Sequence, residues 1–378
     1  MKIAILTLFY NNFNYGAHLQ ALALSKVFQT LNMPCEVIQF DWNAFYSVPK
    51  NGKKKTLFKR ILPFIVRKVF GKLMKKNFSR RRSAFTFFDD RCIKTFSDVL
   101  TVKDLSRLNE LYDGFVVGSD QVWRFINRDP NANAAFLLNF TEKKKMAYAA
   151  SLGLKHIPVD SIKFFEKYLP SFDFISVRER LSKHLLSQYV EQNIDVTLDP
   201  TLLLTTQEWS SYKAPIVHKK KKYILCYFIS ESETFRKAAE LISNEWNIGL
   251  CSIPYMSMGF NKADFLLKSE KLYDVSPSQF LTLISEAELV LTDSFHALVF
   301  SLLFKKKFQV FLRKEGAQGG MSERITDLLS NAGLSNLLIE DEYSERIQKD
   351  TELDFDKFED YIAKNRERSI DFILQMGS

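Results

Sequence analysis

The chain is short of the residues that most metal and covalent chemistries need. Its 378 residues include five histidines and four cysteines. Cys35, Cys92, Cys226 and Cys251 lie far apart and show no metal or redox spacing, which points to reduced, buried thiols in a cytosolic protein. No H-E-x-x-H or C-x-x-C marks a metal centre, and no G-x-S-x-G elbow marks a serine hydrolase. Neither G-x-G-x-x-G nor a Walker-type phosphate loop occurs, so the usual dinucleotide and nucleotide cradles are missing. No apolar run is long enough to predict a membrane-spanning helix. The opening MKIAILTLFYNN has no small-residue cleavage site and reads as a first strand, not a signal peptide. Acid is absent over one long stretch. Between Trp42 and Phe88 there is none, against 14 Lys or Arg. The whole chain carries only +9, so the basicity belongs to this one segment.

What is present is an alternation of buried strands and amphipathic helices. KIAILTL is a continuous apolar strand, FYNNFNYG a polar turn, AHLQALALSKVFQTL a helix by the spacing of its apolar residues, and PCEVIQF a second strand. Further strands are expected at 114–117, 145–151, 174–177 and 195–198. YKAPIVHKKKK (212–222), with Pro215 and four consecutive lysines, is a candidate boundary. A second alternating set follows it, from YILCYFI to KKFQVFL. The pattern predicts an α/β chain of two Rossmann-like domains, 1–215 with a basic insertion at 50–88 and 216–350, closed by a terminal helix at 351–378.

In such sheets ligands bind beyond the C-terminal strand ends. The polar or small residues found there are Asn14 and Gly16; Ser119, Asp120 and Gln121; Ser151 and Gly153; Arg178 and Glu179; and Asp293 to His296. The turn NYGAHLQ, from Asn14 through Gly16 to Gln20, opens a helix, and its backbone N–H groups suit an anion; the alternative is a plain tight turn capped by Asn14. Arg178, between a strand and a helix, suits bidentate binding of carboxylate or phosphate, or an ion pair with a neighbouring acid. TDSFHALVFS sets Asp293, Ser294 and His296 between greasy segments. His296 suits general acid–base work with Asp293 and Ser294 orienting it; otherwise the three are a helix cap.

The segment KKKTLFKRILPFIVRKVFGKLMKKNFSRRR interleaves an apolar stripe with cations. It reads as a helix lying on an anionic membrane, or as one packed on the protein's own core with its basic face in water. A nucleic-acid surface is disfavoured, because no stacking module accompanies the charge. Pro63 and Gly71 argue against one unbroken helix.

NYGAHLQALAL, GSDQVWR, YAASLG, ISVRE, LDPTLLL, TDSFHALVFSLLF and SERITDLL, in this order, together resemble the polysaccharide pyruvyl transferase family. The resemblance implies two Rossmann-like domains facing across a cleft, like those of GT-B glycosyltransferases. It implies transfer of the enolpyruvyl unit of phosphoenolpyruvate onto a saccharide, as a pyruvate ketal, in cell-surface polysaccharide synthesis. Phosphoenolpyruvate is then a donor substrate, and neither cofactor nor metal is required. By the same resemblance His296 matches the family's catalytic His and Arg178 its donor-binding Arg. Asn14, Gly16, Gln20, Ser119, Asp120, Gln121, Ser294 and Arg324 fall in matching stretches and are expected to line the substrates, with Asp293 beside His296. Some members carry Arg-Leu-His where this chain has Ser294-Phe295-His296, which leaves Lys262, Arg313 or Arg324 to supply the missing cation. Ala297 also stands where the family usually has Gly. The expected setting is cytoplasmic, peripheral at the inner membrane face through residues 53–82, with a lipid-linked or polymeric acceptor and no nucleic acid. The rival chemistry on this architecture is a nucleotide-sugar-dependent glycosyltransferase.

Overall fold

In the computed structural model the described residues are 1–42, 64–125, 129–218, 221–256, 261–313, 320, 322–340 and 345–378. Continuous apolar runs become fully buried strands, because a parallel sheet covered on both faces leaves no solvent side. The first sheet holds β1 (Ile3–Leu6), β2 (Cys35–Phe40), β3 (Thr95–Leu100), β4 (Gly114–Gly118), β5 (Lys144–Ala150), β6 (Phe174–Val177) and β7 (Ile194–Val196), of which the edge strands are the more exposed. Their order is β3-β2-β1-β4-β5-β6-β7, parallel throughout. The second sheet holds β8 (Ile224–Tyr227), β9 (Leu250–Ser252), β10 (Glu270–Lys271), β11 (Leu289–Thr292), β12 (Phe308–Phe311) and β13 (Leu338–Ile339). Its order, β10-β9-β8-β11-β12-β13, is also parallel. Each sheet reverses direction of growth once, between β1 and β4 and between β8 and β11. These are the switch points at which open α/β sheets accept ligands.

Two helices tie the sheets together. Helix α1 (Tyr15–Thr30) follows β1, and its first residues enter the second domain. The Tyr15 ring stacks on Phe280 at 4.3 Å, and its hydroxyl donates to the Val275 carbonyl at 3.0 Å. Helix α2 (Phe64–Cys92) is one unbroken element. It begins directly after Pro63 in the sequence, where a missing N–H costs nothing, and it accommodates Gly71 at a cost of about 1 kcal/mol against Ala. The break expected at Gly71 is absent, and Pro63 lies outside the described residues.

The far half of α2 packs on the protein itself. Asn77, Arg81, Phe85 and Phe88, three or four residues apart, are buried. Arg81 reaches across the domains and donates to the carbonyls of Tyr273 (2.5 Å), Leu272 (3.3 Å) and Pro254 (3.4 Å). This part of the basic segment is structural, so the membrane surface expected over 53–82 cannot include Arg81. Residues 53–63 of that expectation lie outside the described residues.

The terminal helix, Asp356–Leu374, does not simply follow the second domain. It crosses back to the first sheet: Ser369 accepts from the Leu198 N–H at 3.0 Å, Arg366 donates to the Leu202 carbonyl at 3.0 Å, and Phe372 meets Tyr148. All four cysteines are free. Among the described residues no helix is long and apolar enough to cross a membrane.

Because Tyr15 joins both domains through a stacked ring and a hydrogen bond, Tyr15→Ala should cost about 3–5 kcal/mol of stability. Tyr15→Phe, which keeps the ring, should cost only about 1 kcal/mol. Urea unfolding of both variants checks this. Equal losses would place the stabilisation in the hydroxyl and not in the stacked ring.

Candidate active site

The site is built around one buried carboxylate. Asp199 stands just after β7, where it caps the short turn Pro200–Leu202. Its Oδ1 accepts from the Thr201 N–H (3.0 Å) and hydroxyl (2.6 Å). Its Oδ2 accepts from Arg178 at 2.6 Å and from the Ser119 hydroxyl at 3.0 Å. The same oxygen lies 3.6 Å from His296 Nε2, across the domain boundary. That distance is longer than a hydrogen bond, and the contact is an ion pair only when the imidazole is protonated. Burial on its own would raise the Asp199 carboxyl. The charge of His296, then that of Arg178, outweighs it and holds the group well below the usual carboxylate range.

Each partner is positioned by an element end. Ser119 and Asp120 follow β4 with φ of 23° and 60°, left-handed values that cost non-glycine residues about 1–3 kcal/mol each. This turn aims the Ser119 hydroxyl at Asp199 and leaves Asp120 3.9 Å from Arg178. Arg178 follows β6, and its other acidic neighbour, Glu179, is 3.6 Å away. His296 lies in the first turn of the helix Phe295–Leu303, which follows β11. Gly16 lets the two domains meet here: a Cβ on it would fall 1.9 Å from His296 Nδ1.

Phe295 carries two guanidinium groups. Arg178 lies 4.9 Å from its ring centre and Arg324 lies 5.2 Å from it. Arg324 comes from the first turn of the helix Glu323–Ala332. Burial, then the neighbouring charge of Arg178, pushes Arg324 down to about 9, so it remains charged at neutral pH but is poorly compensated. Among the described residues several buried nitrogens around this ring have no hydrogen-bond partner: Arg178 Nε and one terminal nitrogen, Arg324 Nε and one terminal nitrogen, and His296 Nε2. Orphaned buried donors of this kind are rare in native structures. Converging cations with free N–H groups are what a small polyanion requires.

The expected residues divide accordingly. Arg178, His296, Ser119, Asp120 and Arg324 come together. Among the cations considered for the missing family Arg, Arg324 is the one beside Arg178; Arg313 instead faces Asp293 at 4.0 Å, and the Lys262 side chain lies outside the described residues. Asp293 does not orient His296. Its carboxylate accepts from the backbone N–H groups of Ile229 (2.6 Å) and Ser230 (2.9 Å), joining the ends of β8 and β11. Ser294 is the helix cap, accepting from Ala297 N–H at 3.5 Å.

The Asn14–Gly16 turn is not an anion cradle. Asn14 Oδ1 takes the Gly16 N–H at 3.0 Å, and the Asn14 carbonyl takes that of Ala17 at 3.1 Å. Gln20 is buried and donates to Thr7 and the Ala17 carbonyl, which makes it structural. Gln121 packs on Gly153 (φ 57°) and accepts from Arg124 at 3.5 Å. Asp199 and Phe295 were not singled out from sequence. The available signal for Asp199 was an Asp-Pro pair directly after a strand within LDPTLLL, and it shows only that the Asp caps a turn.

The family model described as Polysaccharide pyruvyl transferase matches residues 14–314. Among solved structures, a UDP-GlcNAc 2-epimerase from Methanocaldococcus jannaschii superposes with TM-score 0.53 at 11% identity, over 99% of this chain and 100% of its own. S. aureus MnaA, solved with UDP, gives 0.51 at 14%, over 98% and 90%. A UDP-N-acetylglucosamine 2-epimerase from Rickettsia bellii gives 0.51 at 9%, over 99% and 98%. These identities establish likeness of fold alone, that of two Rossmann-like domains in a GT-B-type arrangement. No curated protein sequence matches the chain.

Arg324 costs the free protein stability, since its lowered value means that folding disfavours its charge. That cost is present in full below about pH 9 and is relieved as the pH rises through it. Arg324→Met should therefore stabilise the unliganded protein by about 1–2 kcal/mol at pH 7, with the advantage shrinking above pH 9. Thermal unfolding across pH checks this; a destabilised variant at pH 7 would show that the guanidinium is already compensated.

Proposed function

The chain belongs to the polysaccharide pyruvyl transferase family, and from that premise we propose that it transfers the enolpyruvyl unit of phosphoenolpyruvate to a saccharide that is lipid-linked or polymeric. Membership makes it a transferase with a saccharide acceptor. The donor is argued from one observation: Arg178, Arg324 and His296 converge around Phe295 with buried nitrogens that have no hydrogen-bond partner among the described residues. Phosphoenolpyruvate carries a carboxylate and a phosphate on the same carbon, C2, and two neighbouring guanidinium groups match that closeness of charge.

The chemistry follows from these residues. His296 gives a proton to the methylene carbon of the donor, and the electron pair of the double bond forms the new C–H bond. Positive charge develops at C2, shared with its oxygen. Asp199 stabilises it only weakly, being committed to Arg178, Ser119 and Thr201. Its task is to hold Arg178 and to balance the charge on His296. An acceptor hydroxyl adds at C2 and loses its proton, for which the now neutral His296 is the nearest base. Departure of phosphate reopens C2, a second hydroxyl closes the ketal, and a second proton is lost.

Phosphate release from phosphoenolpyruvate in the presence of a polymeric or lipid-linked acceptor tests the reaction. His296→Ala should lower turnover by roughly 10²–10⁴ with the fold intact. Arg178→Lys keeps the charge but loses the planar fork, so donor affinity should fall. If a nucleotide sugar is turned over while phosphoenolpyruvate neither binds nor competes, the glycosyltransferase chemistry replaces this one.

We also propose that the basic segment brings the enzyme to an anionic membrane. The support is 13 cations and no acid over residues 53–82, less Arg81, which is internal. Sedimentation with vesicles should require anionic lipid and weaken with salt. Equal sedimentation on neutral vesicles would reduce the effect to hydrophobic adhesion.

A further inference from the structure

Three carboxylates surround the Arg178 guanidinium, and two of them are already committed. Asp199 is fully buried and accepts from Ser119, Thr201 and Arg178. Glu179 is 4% exposed, and one of its oxygens accepts from the hydroxyls of Ser151 (2.7 Å) and Ser182 (2.6 Å). Asp120 differs. Its side chain is 14% exposed, the most accessible of the three, and its ion pair with Arg178 is 3.9 Å long, beyond hydrogen-bond reach. Among the described residues no group donates a hydrogen bond to its carboxylate.

The backbone that presents Asp120 is strained. Ser119 and Asp120 take φ of 23° and 60°. An Asp tolerates such values when its carboxylate bonds to nearby backbone, which this one does not do. The turn is held from both sides instead: the Ser119 N–H donates to the Tyr148 carbonyl (2.9 Å), and the Asp120 carbonyl accepts from the Ser151 N–H (3.0 Å). Strain that the surroundings over-determine, at a strand end beside the donor cations, points to a use for the side chain. A carboxylate with unfilled oxygens repels a polyanion, so the donor is not what fills it. The group that does must donate, as a hydroxyl does. Closure of the ketal requires one more proton acceptor here. When the second hydroxyl attacks C2, His296 already holds the proton of the first. Arg178 stands between the two sides: one terminal nitrogen donates to Asp199, which faces His296, and the other lies toward Asp120.

We propose that Asp120 is a catalytic base, which binds the second hydroxyl of the acceptor and takes its proton as the ketal closes. The O–H bond breaks toward the carboxylate, and the electron pair of the oxygen forms the second bond to C2. Phosphate has left by then, so the step needs no other reactant. The proposal rests on the pyruvyl-transfer reading and adds a requirement to it: an acceptor with two hydroxyls close enough to share one carbon.

The test sets donor binding against product. Phosphoenolpyruvate binding is measured by calorimetry, and transfer is measured on polysaccharides freed of ketals by mild acid, xanthan among them. Asp120→Asn keeps the shape and removes the charge. It should bind phosphoenolpyruvate as tightly as wild type or more tightly, since a negative charge beside the anion is gone. Ketal formation should fall by roughly 10²–10⁴. Phosphate release should fall less, because the open intermediate can lose a methyl proton and end as an enolpyruvyl ether, which proton NMR tells from the ketal by its vinyl methylene. Thermal unfolding confirms the fold; should the Asn variant not fold, Asp120→Gly, which suits a φ of 60°, repeats the comparison. Ketal formation within threefold of wild type in a folded variant overturns the assignment. So does a joint loss of donor affinity and turnover, which would mean that Asp120 only holds Arg178. Wild type that neither binds phosphoenolpyruvate nor releases its phosphate overturns the transfer reading itself, and the role of Asp120 with it.

Discussion

A single buried carboxylate holds the site together. Asp199 is fully excluded from water, and its environment keeps it ionised. A buried charge is tolerated only with close partners, and loss of one partner typically costs about 3–5 kcal/mol. Ser119, Arg178 and Thr201 come from three separate loops of the first domain, and His296 comes from the second. The need to neutralise one carboxylate therefore fixes four chain segments at once. It also sets the distance between the sheets, since His296 reaches Asp199 only because Gly16 leaves room for its ring.

Around this anchor the protein departs from what stability alone favours. Ser119 and Asp120 are left-handed without being glycine, and Arg324 is charged, buried and poorly compensated. Buried donors without acceptors cost about 1–3 kcal/mol each. Such departures are sustained where function needs them and where the surrounding core is large enough to carry them. Here both sheets are buried on both faces, and the departures fall at their C-terminal strand ends. On the proposed reading a polyanion supplies the acceptors that these donors lack, so that its binding and the stabilisation of the fold are linked.

The two domains are held in register from outside the cleft as well. Arg81 of α2 donates to three carbonyls of the second domain, and the terminal helix bonds back to the loop that carries Asp199, through the Leu198 N–H and the Leu202 carbonyl. The segment richest in positive charge is thus continuous with a helix that braces the catalytic geometry. Burial separates the cations of this helix: Arg81 is enclosed and bonds to the second domain, whereas Arg80 is exposed and lies 3.8 Å from Asp274.

Periodicity and strand-end chemistry determined much of this protein without coordinates. The buried strands of both sheets, helix α1, and His296 with Arg178 at strand ends were all legible, because each depends on local pattern. The edge strand Thr95–Leu100 was not, since its exposed Ser97, Asp98 and Val99 give no alternation to detect. The partner of His296 was also hidden. Asp293 is three residues away but is turned to the backbone of β8, while Asp199 is nearly a hundred residues away and touches it. Sequence shows which residues lie at a strand end. Which carboxylate faces which cation depends on how two independently folded sheets dock, and that is set by packing between residues remote in the chain. The same holds for Gly16, whose sequence context suggests an anion turn and whose actual use, as room for an imidazole from the other domain, exists only in the folded molecule.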